Sequence, residues 1–154
     1  MDTVLITGGC GFIGSHTCAS LIDNKFNVLL IDSLVNSFYE TYLNIKKMYE
    51  LRGVDASKRL NFIKADLRDR ELLESIFLEY SRSNKPIKYV IHFAGLKSIY
   101  DSIKSPLEYW DVNVSSTLSL ISSMKKYECF SIIFSSSATV YKSNGSDLLK
   151  ETDK

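Results

Sequence analysis

A glycine-rich stretch near the start of the sequence has the residue types and spacing of a phosphate-binding loop. It runs Thr7-Gly8-Gly9-Cys10-Gly11-Phe12-Ile13-Gly14, follows a predicted strand and opens a predicted helix. The first glycines permit a tight turn, Gly11 lets a pyrophosphate approach the helix N–H groups, and Gly14 lets helix and strand pack closely. The stretch therefore predicts a dinucleotide site, with a purely structural turn as the alternative.

Two aspartates follow apolar runs at places where a parallel sheet would present them beside the glycine-rich stretch. Asp32 ends the second predicted strand, where its carboxylate would accept hydrogen bonds from an adenosine ribose and repel a 2′-phosphate. This charge favours NAD over NADP, with an ordinary turn aspartate as the alternative. Asp66, in Ala65-Asp66-Leu67, would lie near the adenine, and a helix N-cap explains it equally well.

Alternating strand-like and helix-like segments must position these residues. The first two and the last of five short runs are apolar on both faces, as in strands buried between two helical layers. The alternation predicts an α/β fold of the Rossmann type, a doubly wound parallel sheet with strand order 3-2-1-4-5 and the dinucleotide at the crevice where the order reverses. The predicted strands are Val4-Leu5-Ile6, Val28-Leu29-Leu30-Ile31, Leu60-Asn61-Phe62-Ile63, Tyr89-Val90-Ile91-His92-Phe93 and Ile132-Ile133-Phe134. The predicted helices are Ile13 to Leu21, Tyr39 to Leu51, Asp69 to Tyr80 and Pro106 to Tyr127.

The start of the last predicted helix carries the most explicit capping signal. Ser105 is expected to be its N-cap, with Pro106 at N1 and Glu108 at N3. A serine at the N-cap and a glutamate at N3 predict a capping box, in which each side chain accepts from a backbone N–H of the other.

The composition excludes several classes of protein. The chain has 154 residues, 45% of them hydrophobic, with 19 basic and 18 acidic side chains and a net charge of +1. These values are typical of one folded domain, and they give no electrostatic reason to expect nucleic acid or a membrane as a partner. No apolar run approaches the roughly 18 residues of a membrane span, and no basic region of a signal peptide precedes the first strand. Cys10, Cys18 and Cys129 match no metal spacing, so we expect no metal, and reduced thiols in a cytoplasmic protein.

Four further segments carry a resemblance to a known family. They are Gly14-Ser15-His16-Thr17, His92-Phe93-Ala94-Gly95-Leu96-Lys97, Ser105-Pro106-Leu107-Glu108-Tyr109 and Phe134-Ser135-Ser136-Ser137-Ala138-Thr139-Val140-Tyr141. With the glycine-rich stretch, they resemble the extended short-chain dehydrogenases/reductases and, within that family, the UDP-glucose 4-epimerases. The resemblance implies an NAD-dependent isomerase of galactose and other carbohydrate metabolism. Such an enzyme interconverts the C4 configuration of a nucleotide-sugar, a UDP-hexose, through a 4-keto intermediate, and it can form a homodimer.

The resemblance also implies roles for individual residues. Ser137, at the end of strand five, would be the catalytic serine that hydrogen-bonds the sugar 4-oxygen. Asn113 matches a recurrent asparagine of the helix after strand four, whereas Val112 stands where some relatives have an asparagine. The residues expected to bind NAD are Gly8, Gly11, Phe12, Ile13, Gly14, Asp32, Ser33, Asn36, Ser37, Asp66, Leu67, Phe93, Ala94, Gly95, Lys97, Asn113 and Ser135. Those expected at the substrate are Lys97, Ser137, Ala138 and Thr139.

The proton relay of the family is the main departure from the pattern. It needs Tyr-x-x-x-Lys on the helix after strand five, whereas the two such spacings here, Tyr42/Lys46 and Tyr100/Lys104, precede Ser137 and are interpreted as chance. The sequence ends at Lys154, before the expected tyrosine and the substrate domain. Residues 1–154 are therefore expected to be the cofactor-binding half of the enzyme, inactive alone, with strand five as an uncovered edge that promotes self-association.

Two other functions stay open at this point. One is another nucleotide-sugar epimerase or a dehydratase of the same superfamily. Dehydratases are expected to carry acidic residues where this chain has Ala138-Thr139-Val140, which disfavours them. The other is a non-catalytic NAD-binding module.

Structural roles are the favoured interpretation for three residues whose side chains could be reactive. His16 and His92 have no metal-like partner and are interpreted as packed or capping histidines rather than bases. Cys10, inside the glycine-rich stretch, is interpreted as a small spacer.

Overall fold

A five-stranded parallel sheet organises the chain, of which this computed structural model describes residues 2–137. The strand order is β3-β2-β1-β4-β5, and every neighbouring pair is parallel. The predicted fold class and strand order are therefore confirmed. The strands are β1 (Thr3–Thr7), β2 (Asn27–Asp32), β3 (Leu60–Lys64), β4 (Ile87–His92) and β5 (Ser131–Phe134).

Helices alternate with the strands, as the sequence pattern predicts. They are α1 (Phe12–Asp23), α2 (Tyr39–Leu51), α3 (Arg70–Arg82), α4 (Ile99–Lys104), α5 (Pro106–Trp110) and α6 (Ser116–Lys126). A 3-10 turn (Ala56–Lys58) precedes β3, and a π-helical turn (Asp111–Ser115) joins α5 to α6.

The sheet is covered on both faces, because successive side chains of a strand point in opposite directions. On β2, Leu29 packs into a cluster with Phe77 of α3 and Leu120 of α6. The next residue, Leu30, packs into a separate cluster with Ile22 of α1 and Tyr49 of α2. All five residues of β1 and all six of β2 are buried, which confirms the prediction for the first two strands.

The outermost strand behaves differently from the prediction. All four residues of β5 are exposed, with Ile133 at 65% and Phe134 at 55% of full exposure. The interpretation of the last strand as buried on both faces is therefore wrong for residues 2–137, within which β5 pairs only with β4. Within the described residues, its apolar side chains instead lie exposed at the edge of the sheet.

The predicted helix from Pro106 to Tyr127 is interrupted by the π-helical turn. The prediction of a capping box at its start is wrong. The preceding segment forms α4, which the sequence analysis missed, and Ser105 ends that helix by donating its backbone N–H to the carbonyl of Asp101 (2.8 Å). Ser105 has φ −129° and ψ 58°, and its side chain makes no capping hydrogen bond to α5. Pro106 does occupy the first turn, as predicted.

The two-sided core predicts that adjacent residues of β2 are equally sensitive to truncation. Leu29→Ala and Leu30→Ala are each expected to lower the free energy of unfolding by about 2–5 kcal/mol, because each leaves a cavity in a different cluster. Urea denaturation measures both values. The control Leu51→Ala, at a side chain that is 80% exposed, is expected to stay within about 0.5 kcal/mol of the parent. A loss in only one of the two variants would contradict a sheet covered on both faces.

Candidate dinucleotide site

The glycine-rich stretch forms a turn at the carboxyl end of β1 that leaves no room for side chains at two positions. Gly8 has a positive φ of +67°, and a Cβ there would lie 2.8 Å from the backbone nitrogen of Ala94. A Cβ on Gly14 would lie 2.4 Å from the carbonyl oxygen of Gly8. At Gly11, the nearest atom to such a Cβ is 3.3 Å away, so this part of the turn is less crowded. The glycines therefore let the turn contact the loop after β4 and the start of α1 together.

The turn lies at the point where the strand order reverses. β1 pairs with β2 on one side and with β4 on the other. The helix after β1 packs on one face of the sheet, and α6, which follows β4, packs on the opposite face. A crevice between the two connections is the usual ligand site of a doubly wound sheet. Phe12 and Ile13, at the start of α1, are 79% and 55% exposed there.

Asp32 connects the end of β2 to the glycine turn. Its carboxylate is buried and accepts hydrogen bonds from the backbone N–H of Cys10 (2.9 Å), the backbone N–H of Leu34 (2.9 Å) and the hydroxyl of Ser37 (2.7 Å). Burial and the nearby charge of Asp32 raise the pKa of the Cys10 thiol to about 12. The thiol is thus protonated at neutral pH, in agreement with a spacer role.

Asp66 forms an ion pair and does not cap the next helix. The N-cap of α3 is Asp69, which accepts from the backbone N–H of Leu72 (3.0 Å), so the capping interpretation of Asp66 is wrong. Asp66 instead accepts from the guanidinium of Arg68 (2.6 Å), which also contacts Asp111 (2.7 Å). These hydrogen bonds from Arg68 lower the pKa of both carboxyl groups.

Asn113 holds the loop that follows β4. Its side-chain oxygen accepts from the backbone N–H of Leu96 (2.7 Å), and its side-chain nitrogen donates to the carbonyl of Leu96 (3.0 Å). A Cβ on Gly95 would lie 3.2 Å from the same side-chain oxygen. Asn113 belongs to the π-helical turn, which sequence reasoning missed. The one sequence signal for this turn was Asn113 itself, because an asparagine within an apolar helical stripe competes with the helical hydrogen bonds.

His92 is a deeply buried polar side chain at this edge of the sheet, 2% exposed. One ring nitrogen, Nδ1, lies 2.6 Å from the hydroxyl of Thr7, and Nε2 lies 3.1 Å from the hydroxyl of Thr117. Burial lowers the pKa of His92 to about 4, so the ring is neutral at neutral pH. The structure places His92 as a packed histidine, as predicted. His16 is on the surface of α1, where its Nδ1 lies 2.8 Å from the carbonyl of Phe12.

The other predicted site residues follow the ends of β2, β3, β4 and β5. Ser33, Asn36 and Ser37 lie in the loop after β2, and Leu67 is buried in the core beneath α3. Phe93, Ala94, Gly95 and Lys97 form the loop after β4. Ser135 extends the pairing of β5 by donating its backbone N–H to the carbonyl of His92 (3.1 Å). Ser137 follows two positions later, outside any strand. Ala138 and Thr139 lie outside the described residues.

Neither a metal cluster nor a membrane span is found in the described part of the chain. Residues 2–137 contain no group of three or more His, Cys, Asp or Glu side chains placed to hold a metal ion. None of the helices formed by these residues has the length and apolar character needed to cross a membrane.

Comparison with known proteins places the chain in a family. Residues 5–154 match the model of the family described as GDP-mannose 4,6 dehydratase. The chain belongs to this family. It is 43% identical over 139 residues to a UDP-glucose 4-epimerase of Schizosaccharomyces pombe and 44% identical over 138 residues to one of Bacillus subtilis. Each match covers 90% of this chain but only 36% and 37% of the relatives, so the chain spans little more than a third of their length.

Solved structures give the same result. A UDP-glucose 4-epimerase of Bifidobacterium longum, in complex with NAD⁺ and UDP, superposes with a TM-score of 0.85 at 38% identity, over 99% of this chain and 42% of that one. One from Stenotrophomonas maltophila, with bound NAD and formylated UDP-arabinopyranose, gives a TM-score of 0.84 at 36% identity, covering 99% of this chain and 42% of its own. These findings confirm the resemblance to UDP-glucose 4-epimerases that the motifs carry.

The buried, neutral state of His92 predicts a dependence of stability on pH. Between the ordinary histidine pKa of 6.5 and the folded-state value of about 4, the unfolded chain binds a proton that the native chain does not. The free energy of unfolding is therefore expected to fall as the pH drops through this window, by roughly 3 kcal/mol in total. Urea denaturation between pH 7 and pH 4 measures it.

Two variants isolate the contribution of His92. His92→Gln is expected to lose this part of the pH dependence, whereas His16→Gln, at an exposed histidine, is expected to keep it. Equal pH dependence in the parent chain and in His92→Gln would contradict a buried neutral ring.

Proposed function

We propose that residues 1–154 are the NAD-binding domain of an NAD-dependent UDP-hexose 4-epimerase. The observation that carries this proposal is the glycine turn at the reversal of strand order, where Gly8 and Gly14 have no room for a Cβ. The identity of 36–44% to UDP-glucose 4-epimerases, two of them solved with NAD or NAD⁺, supports this cofactor and this class of substrate.

The start of α1 fits the pyrophosphate of NAD. The first turn of a helix has backbone N–H groups without intrahelical partners and a positive end of the helix dipole, both of which favour an anion. α1 carries no acidic residue in its first turn, whereas α2 and α3 carry Glu40 and Glu71 there. Gly11, Phe12 and Ile13 would therefore contact the pyrophosphate.

Asp32 would accept a hydrogen bond from a hydroxyl group of the adenosine ribose. A carboxylate has about four lone-pair positions, of which three are used by the donors of the surrounding loops. These donors hold the carboxylate in place while leaving it able to accept one more hydrogen bond. Ser33, Asn36 and Ser37 would line the same pocket, and Asp66 and Leu67 would flank the adenine.

The loop after β4 and the residues after β5 would surround the reacting end of the site. When bound, NAD⁺ supplies the hydride acceptor for C4 of the sugar. Asn113 keeps the loop from Phe93 to Lys97 in place through both hydrogen bonds to Leu96. Lys97 and Ser137, with Ala138 and Thr139, would contact the substrate, with the Ser137 hydroxyl on its 4-oxygen.

The proton relay is the part of the chemistry that these residues do not complete. A serine hydroxyl cannot accept the C4 hydroxyl proton unaided, because it is not ionised at neutral pH and its neutral oxygen is a very weak base. Tyr42 packs against Phe62 with a ring separation of 5.4 Å, and Tyr100 is 66% exposed under the ammonium of Lys104. We propose that neither tyrosine serves the relay and that the chain binds NAD without turnover of UDP-hexose by itself.

The proposal predicts a preference for NAD over NADP. Calorimetric titration of the 154-residue chain is expected to show NAD binding at least about tenfold more tightly, because Asp32 would meet the 2′-phosphate with like charge. Asp32→Asn is expected to narrow this ratio. Asp101→Asn makes the same charge change on the exposed surface of α4 and is expected to leave the ratio unchanged. Equal affinities, or tighter binding of NADP, would contradict the role of Asp32 at the adenosine ribose.

We also propose that the chain forms a homodimer through an apolar stripe on α4, α5 and α6. The stripe has one apolar side chain every three or four positions in Ile99, Ile103, Leu107 and Trp110, which are 70–84% exposed. Leu118 and Ile121 of α6 are also exposed apolar residues. Exposed apolar side chains grouped on neighbouring helices are typical of an interface, and a two-fold contact would cover them with a second copy of the same helices.

Substitution within the stripe tests the homodimer. Trp110→Glu is expected to shift the chain toward a monomer in sedimentation velocity, because it buries a charge at the interface. Leu51→Glu introduces the same charge at an apolar residue that is 80% exposed on α2 and is expected to have no effect. If Ile133→Lys on β5 abolishes association and Trp110→Glu does not, the contact is the edge of the sheet and the stripe is not the interface.

A further inference from the structure

A chain of hydrogen bonds that the proposed function does not use connects the glycine turn to the π-helical turn. Thr7, at the end of β1, and His92, at the end of β4, are 0% and 2% exposed. Thr7 Oγ1 lies 2.6 Å from His92 Nδ1, and His92 Nε2 lies 3.1 Å from Thr117 Oγ1. Thr117 Oγ1 then contacts the carbonyl oxygen of Asn113 (2.7 Å). At the other end, the backbone N–H of Ala94 donates to Thr7 Oγ1 (3.3 Å).

The ends of this chain determine the direction of every hydrogen bond in it. The carbonyl of Asn113 can only accept a hydrogen bond, so Thr117 must donate its single O–H to this carbonyl. The Thr117 oxygen can then only accept from His92. His92 Nε2 therefore carries the proton, and in a neutral ring Nδ1 is then an acceptor. Thr7 donates its O–H to Nδ1, which leaves its oxygen free to accept from the N–H of Ala94. All five groups are satisfied only when His92 is neutral with its proton on Nε2.

Both ends of the chain act on the loop that follows β4. At one end, Thr7 Oγ1 accepts from Ala94, and the backbone carbonyl of Thr7 accepts from Phe93 (3.1 Å). At the other end, Thr117 anchors the carbonyl of Asn113, whose side chain makes both hydrogen bonds to Leu96. The loop from Phe93 to Leu96 is thus fixed at its start from β1 and at its end from the π-helical turn, with His92 as the link between them.

We propose that His92, as the Nε2–H tautomer, and Thr117 are positioning residues that hold Asn113 and the Phe93–Leu96 loop against the glycine turn. The consequence for the cofactor rests on the proposed function, since this loop is where NAD is proposed to lie beyond β4. A histidine that only fills space in the core requires neither this tautomer nor a hydroxyl at position 117.

The tautomer is the first test, and it needs neither a variant nor NAD. Nitrogen-15 NMR of the histidine side chains in the labelled chain distinguishes a protonated ring nitrogen from an unprotonated one. At neutral pH the His92 ring is expected to show the proton on Nε2 and a bare Nδ1. A proton on Nδ1, or on both nitrogens, would overturn the proposal.

The second test removes one hydroxyl. In Thr117→Val, the Leu96 amide is expected to exchange its hydrogen about tenfold faster and NAD to bind about tenfold more weakly, because two hydrogen bonds are lost and both His92 Nε2–H and the carbonyl of Asn113 lose this partner. Thr117→Ser restores the hydroxyl and is expected to remain within about twofold of the parent in both measurements. Ser122→Ala on α6 is the matched control, because it deletes another hydroxyl that donates to the carbonyl four residues earlier, that of Leu118 (2.8 Å).

The outcomes separate this inference from the proposed function. Unchanged exchange of the Leu96 amide in Thr117→Val, or equal acceleration in Ser122→Ala, would overturn the positioning role. If the amide responds as expected and the parent chain fails to bind NAD, the positioning role stands and the proposed function fails. If Thr117→Val does not fold, the tautomer and the rescue by Thr117→Ser still decide the question.

Discussion

The close approach of two backbone segments at the reversal of strand order is the constraint on which the rest of this structure depends. Gly8 comes so near to Ala94 that even a methyl group would collide with the Ala94 backbone nitrogen. This contact brings the turn after β1 and the loop after β4 together at one edge of the sheet. Asp32 supports the turn from β2, and Asn113 supports the loop from the π-helical turn. A ligand in the crevice would therefore meet two backbone segments that side chains from β2 and the π-helical turn already hold.

The sheet and the glycine turn were predictable because their signals are local and periodic. Runs such as Val28 to Ile31 are apolar on both faces, which is characteristic of strands between two helical layers. The glycine spacing was informative because the turn excludes larger side chains: no other residue fits at Gly8 or Gly14. The same logic failed for β5, whose sequence is equally apolar. Burial depends on whether other elements pack on a strand, and no pattern within Ile132 to Phe134 contains that information.

The supports of the site were not predictable, because they join residues far apart in the chain. Arg68 contacts Asp111, 43 positions away, and His92 contacts Thr7, 85 positions away. Each partner is an ordinary polar residue in a turn, at the end of a strand or on a helix, and its neighbours in sequence give no sign of the contact. The π-helical turn is similarly hidden, because one extra residue in a helical turn leaves the apolar spacing on either side nearly intact. Sequence reasoning thus predicted which residues would line the crevice and missed the hydrogen bonds that these supports make.

The central place of β1 sets the order in which the chain can assemble. During synthesis β1, β2 and β3 emerge first and can pair with one another as soon as Lys64 is free. The other edge of β1 stays unpaired until β4 has been made, which ends at His92, 28 positions after Lys64. Synthesis of these 28 residues takes about 1–6 s at typical rates of translation. For that interval β1, a five-residue strand with three apolar residues at its centre, has unpaired backbone groups on one side, and these are a template for any other extended segment. Thr7 lies on that open edge, so the half of the crevice contributed by β1 exists before the residues that complete it have been made.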